Sequence, residues 1–153
     1  MLNSISSIIT PDVYKIIYSM GHLDELAIVD ANFSERNLST SNSIFLPIFD
    51  NNILLYELLK YFPLDNDDID PVYVFDPDFS DTEIPNVWNE YSDTIKEYYN
   101  GEITLHKIKR DEFYRKAITS YATIKTLDQQ VYANLIIRKG FVLNIEDSNK
   151  INK

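Results

Sequence analysis

The segment Glu25-Leu-Ala-Ile-Val-Asp30 constrains this chain more than any other. A nearly continuous apolar run closed by a carboxylate is the pattern of a strand buried on both faces of a parallel sheet, where covering helices leave neither face to water. The fold class is therefore α/β. At 153 residues the chain suits one domain with one core. The domain is expected over residues 1–144, followed by a polar tail over 145–153.

The flanking segments supply helices and further strands. Thr10 is a good N-cap and Pro11 fits a first turn, and Val13, Ile16, Ile17 and Met20 recur at helical spacing, which predicts a helix from Ile8 to Met20 ended by Gly21. A polar loop over 31–43 leads to the short run Ile44-Phe-Leu-Pro47, which its proline places near an edge or an end. The stripe Ile53, Leu54, Leu55, Leu58, Leu59 and Phe62 predicts a helix docked on the sheet and stopped by Pro63. Val72–Phe75 reads as a strand between acidic loops, and Val87–Tyr99 as an amphipathic helix capped by Asn100-Gly101. A strand over Ile103–Ile108, a helix over Arg110–Ile118 and an alternating strand over Ser120–Thr126 follow. Val131–Ile137 and Phe141–Leu143 read as two strands around a turn at Arg138-Lys139-Gly140.

Composition narrows the chemistry. With 24 acidic and 14 basic residues the net charge is −10, which repels phosphate backbones and anionic headgroups, so neither nucleic acid nor a membrane surface is expected as partner. There is no Cys, which removes disulfides, thiolate nucleophiles and zinc-thiolate sites, and leaves His22 and His106 as the two imidazoles. Met1–Thr10 has no basic leader and no long apolar run, so the cytoplasm is the expected compartment. The 3 glycines stand too far apart for a phosphate-binding loop. The acidic stretches at 65–70 and 76–83 lack the spacing of a calcium loop and read as solvated. The surplus of 11 Tyr and 8 Phe suits strands, subunit interfaces or sugar sites.

Three groups of residues are candidates for chemistry. His22 precedes the first strand and Asp30 ends it, and a carboxylate at the carboxyl end of a buried strand points into the crevice where α/β proteins bind ligands. The structural alternative makes His22 a surface residue and Asp30 a cap or loop tie. An extended strand places the two on the order of 20 Å or more apart, so either the flanks curl inward or each belongs to a pocket shared by neighbouring subunits. Tyr132 and Asn134, two apart in an expected strand, would face the same side, where a phenol and an amide can orient a sugar ring. Arg110, Tyr114 and Arg115 beside Phe113 form the third group, whose alternative is a solvated basic helix face. His106, within an alternating strand, reads as structural.

Met20-Gly-His-Leu-Asp-Glu-Leu-Ala-Ile-Val-Asp-Ala-Asn-Phe33 resembles the signature segment of the sugar mutarotase family that holds L-fucose mutarotase and D-ribose pyranase. The opening helix, Pro63-Leu-Asp65, the FYxxA pattern of Phe113-Tyr114 through Ala117, and Tyr132–Gly140 extend the likeness over nearly the whole chain. The FYxxA helix and Asp30-Ala-Asn-Phe33 favour the fucose branch. The resemblance implies a three-layer domain with a central mixed sheet flanked by helices, and interconversion of the α and β anomers of a free monosaccharide, expected to be L-fucose. It implies His22 and Asp30 as the acid/base pair, with Tyr132 shuttling a proton or orienting the ring, Asn134 and Arg110 on sugar hydroxyls, and no metal or organic cofactor. It further implies pentameric rings, paired into homodecamers, with sites between subunits. Alternatives are D-ribose pyranase activity and a non-catalytic sugar-binding module. Three positions depart from the family pattern: Leu23 and Ala133 stand where it has glycine, and Thr126-Leu-Asp128 replaces its Thr-Gly-Glu turn.

Overall fold

The run that opens the sequence argument becomes β1 (Glu25–Val29), and its side chains alternate between two separate apolar clusters. Leu26 and Ile28 face one cluster while Ala27 and Val29 face the other, and all four are fully buried. This is what an unbroken apolar run requires. The structure is a computed structural model that describes residues 2–65, 67, 70–76, 84–100 and 103–142. The expected tail at 145–153, Leu143, Gly101, half of the acidic stretch at 65–70 and all but Asp76 of that at 76–83 lie outside the described residues.

The remaining strands are β2 (Ser43–Phe45), β3 (Val72–Phe75), β4 (Leu105–Ile108), β5 (Ala122–Lys125) and β6 (Leu135–Arg138). They form one mixed sheet in the order β2-β5-β1-β6-β3-β4. β1 runs parallel to β5, β2 to β5 and β3 to β4, whereas β6 lies antiparallel between β1 and β3. Five strands therefore point one way and β6 the other. Pro47 follows the edge strand β2, as its missing N–H requires.

The helices are α1 (Pro11–Ser19), α2 (Asn51–Leu59), α3 (Asn86–Tyr99) and α4 (Arg110–Thr119). α1, α2 and α3 cover the Leu26/Ile28 face, and α4 covers the opposite face through Phe113 and Ala117. Thr10 caps α1 by accepting from the Val13 N–H, and Asp50 caps α2 by accepting from Asn52 and Ile53. Asn100 ends α3 in the left-handed conformation, a role asparagine fills more easily than most residues.

The carboxyl-terminal hairpin is a correction. Val131–Asn134 is a turn, with Tyr132 at φ 64, and β6 begins only at Leu135. Side chains two apart there do not follow strand alternation, which removes the basis on which Tyr132 and Asn134 were paired. Phe141 and Val142 form no strand. Residues 138–140 instead run beside Pro63–Asp65: the Gly140 N–H donates to the Pro63 carbonyl at 2.8 Å and the Asp65 N–H to the Arg138 carbonyl at 3.0 Å. The backbone groups that a hairpin would have paired are satisfied by a different segment.

Candidate functional site

Because β1, β3 and β4 share a direction, their carboxyl ends meet on one edge of the sheet, together with the start of β6. Four of the five candidate residues are on that edge. Asp30 directly follows β1 and is held from two sides by Asn134. The Asp30 N–H donates to Asn134 Oδ1 at 2.8 Å, and Asn134 Nδ2 donates to Asp30 Oδ2 at 2.8 Å. Asp30 Oδ1 accepts from the Asn32 N–H at 2.9 Å. Asp30 is 7% exposed, and burial pushes its carboxyl above the usual range against the opposing pull of these hydrogen bonds. A carboxyl so placed exchanges a proton more readily near neutral pH than a solvated one.

Tyr132 stands beside this pair. Its ring is 6.0 Å from Phe75 at the end of β3 and 6.2 Å from Trp88 of α3, centroid to centroid. The Arg110 guanidinium lies 5.3 Å from the Phe75 ring, and the Lys107 ammonium 5.4 Å from the Trp88 ring. The edge thus joins a shielded carboxyl, an amide, an aromatic wall and an exposed cation, a combination suited to a polar ring with one apolar side.

The turn that carries Tyr132 and Asn134 is fixed from below. Trp88 Nε1 donates to the Tyr132 carbonyl at 3.0 Å, while Tyr91 Oη and Asn51 Nδ2 donate to the Ala133 carbonyl at 2.7 and 2.9 Å. Asn51 Oδ1 accepts from Thr126 Oγ1, and the buried Asp128 carboxylate accepts from the Asn51 and Gln130 N–H groups. Ala133 is fully buried and its φ is not positive, so the departure from glycine there is accommodated without strain.

His22 is elsewhere. It precedes β1 and Asp30 follows it, so the five residues of the strand hold them on the order of 15 Å or more apart. Its Nε2 is 3.8 Å from Asp65 Oδ1, and its ring meets Phe141 edge to face at 5.1 Å. Asp65 Oδ2 is 3.9 Å from Arg138 Nη1, whose other amino group contacts Tyr73 Oη and Glu25 Oε1, the latter at 3.2 Å. Lys116 Nζ reaches the same Glu25 oxygen at 2.8 Å. Asp65, Arg138, Glu25 and Lys116 are not among the candidates the sequence offers. The partnerships of Asp65 and of Lys116 join residues far apart in the chain and leave no local trace, although a helical register for Arg110–Ile118 would have aimed Lys116 and Phe113 inward.

Leu23 flanks His22 on this second edge, is 54% exposed and has φ 69. Its departure from glycine therefore concerns backbone conformation rather than the size of a cavity around Asp30. His106 on the edge strand β4 is exposed, packs on Tyr73 at 5.5 Å and lies 3.9 Å from Asp70. A groove beside α1 is lined by Leu2, Ile5, Ile9, Pro11 and Tyr14 and has no acid/base pair. Among the described residues no three His, Asp or Glu side chains gather as metal ligands, and no helix is long and apolar enough to cross a membrane.

Known proteins resemble this chain over nearly its whole length. The model of the RbsD / FucU transport protein family matches residues 3–142. A fucose mutarotase of Danio rerio is 32% identical over 148 residues, covering 93% of this chain and 95% of the relative. An L-fucose mutarotase of Histophilus somni is 32% identical over 140 residues, covering 92% and 96%. The crystal structure of the fucose mutarotase of Streptococcus pneumoniae in complex with L-fucose superimposes with a TM-score of 0.83 at 29% identity, covering 93% of this chain and all of that one.

Proposed function

This chain belongs to the RbsD / FucU transport protein family, and from that premise we propose that it works as an isomerase, a mutarotase that interconverts the α and β anomers of free L-fucose. The observation that carries the reading is the Asp30–Asn134 clamp at the carboxyl edge of the sheet, a shielded carboxyl beside an aromatic wall.

Mutarotation takes the proton from the anomeric hydroxyl and gives one to the ring oxygen as the bond between C1 and that oxygen breaks. The open aldehyde turns about its C1–C2 bond, and the hydroxyl closes on the other carbonyl face with both protons returned. Each positioned acid or base contributes about 10²- to 10⁴-fold. In our reading Asp30 is one partner, because its burial lets it hold or release the proton. Tyr132 orients the ring or relays a proton beside it. Asn134 spends one N–H and its carbonyl on Asp30 and keeps one N–H for a sugar hydroxyl, and Arg110 reaches over Phe75 to another.

His22 is the second partner, supplied by a neighbouring subunit. Within one protomer β1 keeps it from Asp30, and its half-exposed imidazole stands on the opposite edge of the sheet. Assembly into pentameric rings and decamers is the proposed state, since it brings unlike edges of adjacent copies together. The cytoplasm is the proposed compartment, supported by a sequence without cysteine.

Exchange spectroscopy on the anomeric proton signals of L-fucose, with D-ribose in a parallel tube, tests the reading. Catalytic amounts of protein should speed α/β exchange of fucose, and His22→Ala and Asp30→Asn should each abolish that gain. Co-assembly of the two inactive variants should restore part of it, because some interfaces then carry both intact partners. A folded, oligomeric sample that speeds neither sugar overturns the enzymatic reading.

A further inference from the structure

We propose that Asp128 is a positioning residue for the Asp30–Asn134 clamp: its carboxylate, buried beneath the turn that carries Asn134, holds that turn through Asn51 and keeps a negative charge beside Asp30. The inference rests on the assignment of Asp30 as an acid/base partner and extends it to a residue behind the site. Three observations support it.

Asp128 is fully buried, and every partner of its carboxylate is a donor. The Asn51 N–H at the start of α2 donates to Oδ2 at 2.7 Å, the Gln130 N–H donates to Oδ1 at 2.8 Å, and Gln130 Nε2 stands 3.5 Å from Oδ2. An ionised carboxylate accepts and does not donate, and the first turn of a helix favours negative charge, so these surroundings suit the charged form.

The second observation is the route from Asp128 to the clamp. Asn51, whose main chain Asp128 holds, donates from Nδ2 to the Ala133 carbonyl at 2.9 Å and accepts on Oδ1 from Thr126 Oγ1 at 2.6 Å. Asn134 follows Ala133 directly, so the amide that clamps Asp30 takes its position from this buried network. The backbone adds a second tie. The Ala31 N–H donates to the Asp128 carbonyl and the Thr126 N–H to the Val29 carbonyl, both at 2.9 Å, which lays 126–128 alongside the end of β1 and Asp30.

The third observation is the charge around Asp30. From its own loop and from the turn before β6 it meets the neutral amides of Asn32, Phe33 and Asn134. Charged groups on the neighbouring elements are engaged elsewhere. Lys125 of β5 donates to the Phe33 carbonyl at 3.0 Å and lies 3.9 Å from Glu35, and Asp50 caps α2. Arg110 of α4 and Lys107 of β4 lie over Phe75 and Trp88, and the Tyr91 phenol of α3, which burial pushes far above its ordinary range, stays neutral on the Ala133 carbonyl. Among the described residues the charge that acts on Asp30 is that of Asp128, and it opposes ionisation in the same direction as burial does.

The test follows anomer exchange of L-fucose by the full-length protein as a function of pH, above the sequence pI of about 4.5. Asp128→Asn removes the charge and nearly keeps the shape. The limb of the profile set by Asp30 should then move to lower pH whichever form the reaction requires, because Asp30 ionises more readily. Loosening of the turn should lower the plateau about tenfold, part of the 10²- to 10⁴-fold that a positioned acid or base contributes. Gln130→Lys leaves the buried side chains in place and sets a cation beside Asp128 Oδ2, so it should move the same limb the same way even if Asp128→Asn does not fold. Asp128→Glu keeps the charge and should leave the limb where it is. A limb that stays put or moves upward in Asp128→Asn or Gln130→Lys overturns the role of Asp128 alone, as does an equal shift in Asp128→Glu, which would trace to packing. Undiminished exchange by Asp30→Asn, or none by the unmodified protein, overturns the assignment of Asp30 itself and the inference with it.

Discussion

Replacing Asn134 by aspartate puts a carboxylate oxygen where the amide nitrogen now donates to Asp30 Oδ2 at 2.8 Å. Two charges at that separation repel by roughly 332/(20 × 2.8), or about 6 kcal/mol, at an effective dielectric constant of 20. The pair has a cheaper course, which is to keep one proton between the two oxygens. Holding a proton on a carboxyl of ordinary pKa near 3.9 costs about 1.4 kcal/mol for each pH unit above it, or about 4 kcal/mol at pH 7. Since 4 is below 6, Asn134→Asp should be protonated as a pair at neutral pH and destabilised by up to about 4 kcal/mol. The sign follows from linkage: the folded pair binds a proton that the unfolded chain releases, so stability falls as pH rises, and falls by up to about 1.4 kcal/mol per unit more than in the unmodified protein. Urea unfolding from pH 5.5 to 7.5 at fixed protein concentration measures it, a range chosen above the sequence pI of about 4.5. Combining Asn134→Asp with Asp30→Asn restores the hydrogen bonds, with donor and acceptor exchanged in the one between the two side chains, and should remove the added slope. Parallel stability profiles for Asn134→Asp and the unmodified protein would refute both the clamp and the reasoning built on it.

Two further substitutions probe the second edge. A Cβ on Gly140 would lie 2.6 Å from the Leu64 carbonyl oxygen and 2.9 Å from its carbon, both backbone atoms, so Gly140→Ala should destabilise by about 1–3 kcal/mol and lower the melting temperature. An unchanged melting temperature would show that Pro63–Asp65 yields freely. Leu23→Gly relieves a left-handed residue at φ 69, worth about 1–2 kcal/mol, against about 0.5–1 kcal/mol for the added freedom of the unfolded chain. A modest rise in melting temperature is expected, and a fall would mean that the packing of the Leu23 side chain outweighs its backbone strain.

The elements read correctly from the sequence are those whose cause is local. Thr10 with Pro11, the stripe before Pro63 and the unbroken run of β1 each declare themselves within a dozen residues, and the structure uses them as read. Val131-Tyr132 failed for the opposite reason. Both residues favour strands, but Trp88, Tyr91 and Asn51 bind the carbonyls of the turn from distant helices, and those bonds outweigh a propensity worth at most about 1 kcal/mol. Phe141 was misread in the same way, since Gly140 docks on Pro63–Asp65 rather than turning back. At the site, a strand standing between His22 and Asp30 was legible from the unbroken apolar run alone. The clamp on Asp30 was not, because an amide 104 residues away supplies it.

The reversed strand in the middle of the sheet has a consequence for how the protein is made. β6 joins β1 to β3, and it is the last of the six strands to leave the ribosome. Until it emerges, β1, β2 and β5 can pair among themselves and β3 with β4, but each group presents one open edge that its sequence has made apolar on both faces. Such edges recruit other strands. Residues 135–138 act as a keystone, and the nascent chain is most exposed to mispairing in the interval before they arrive.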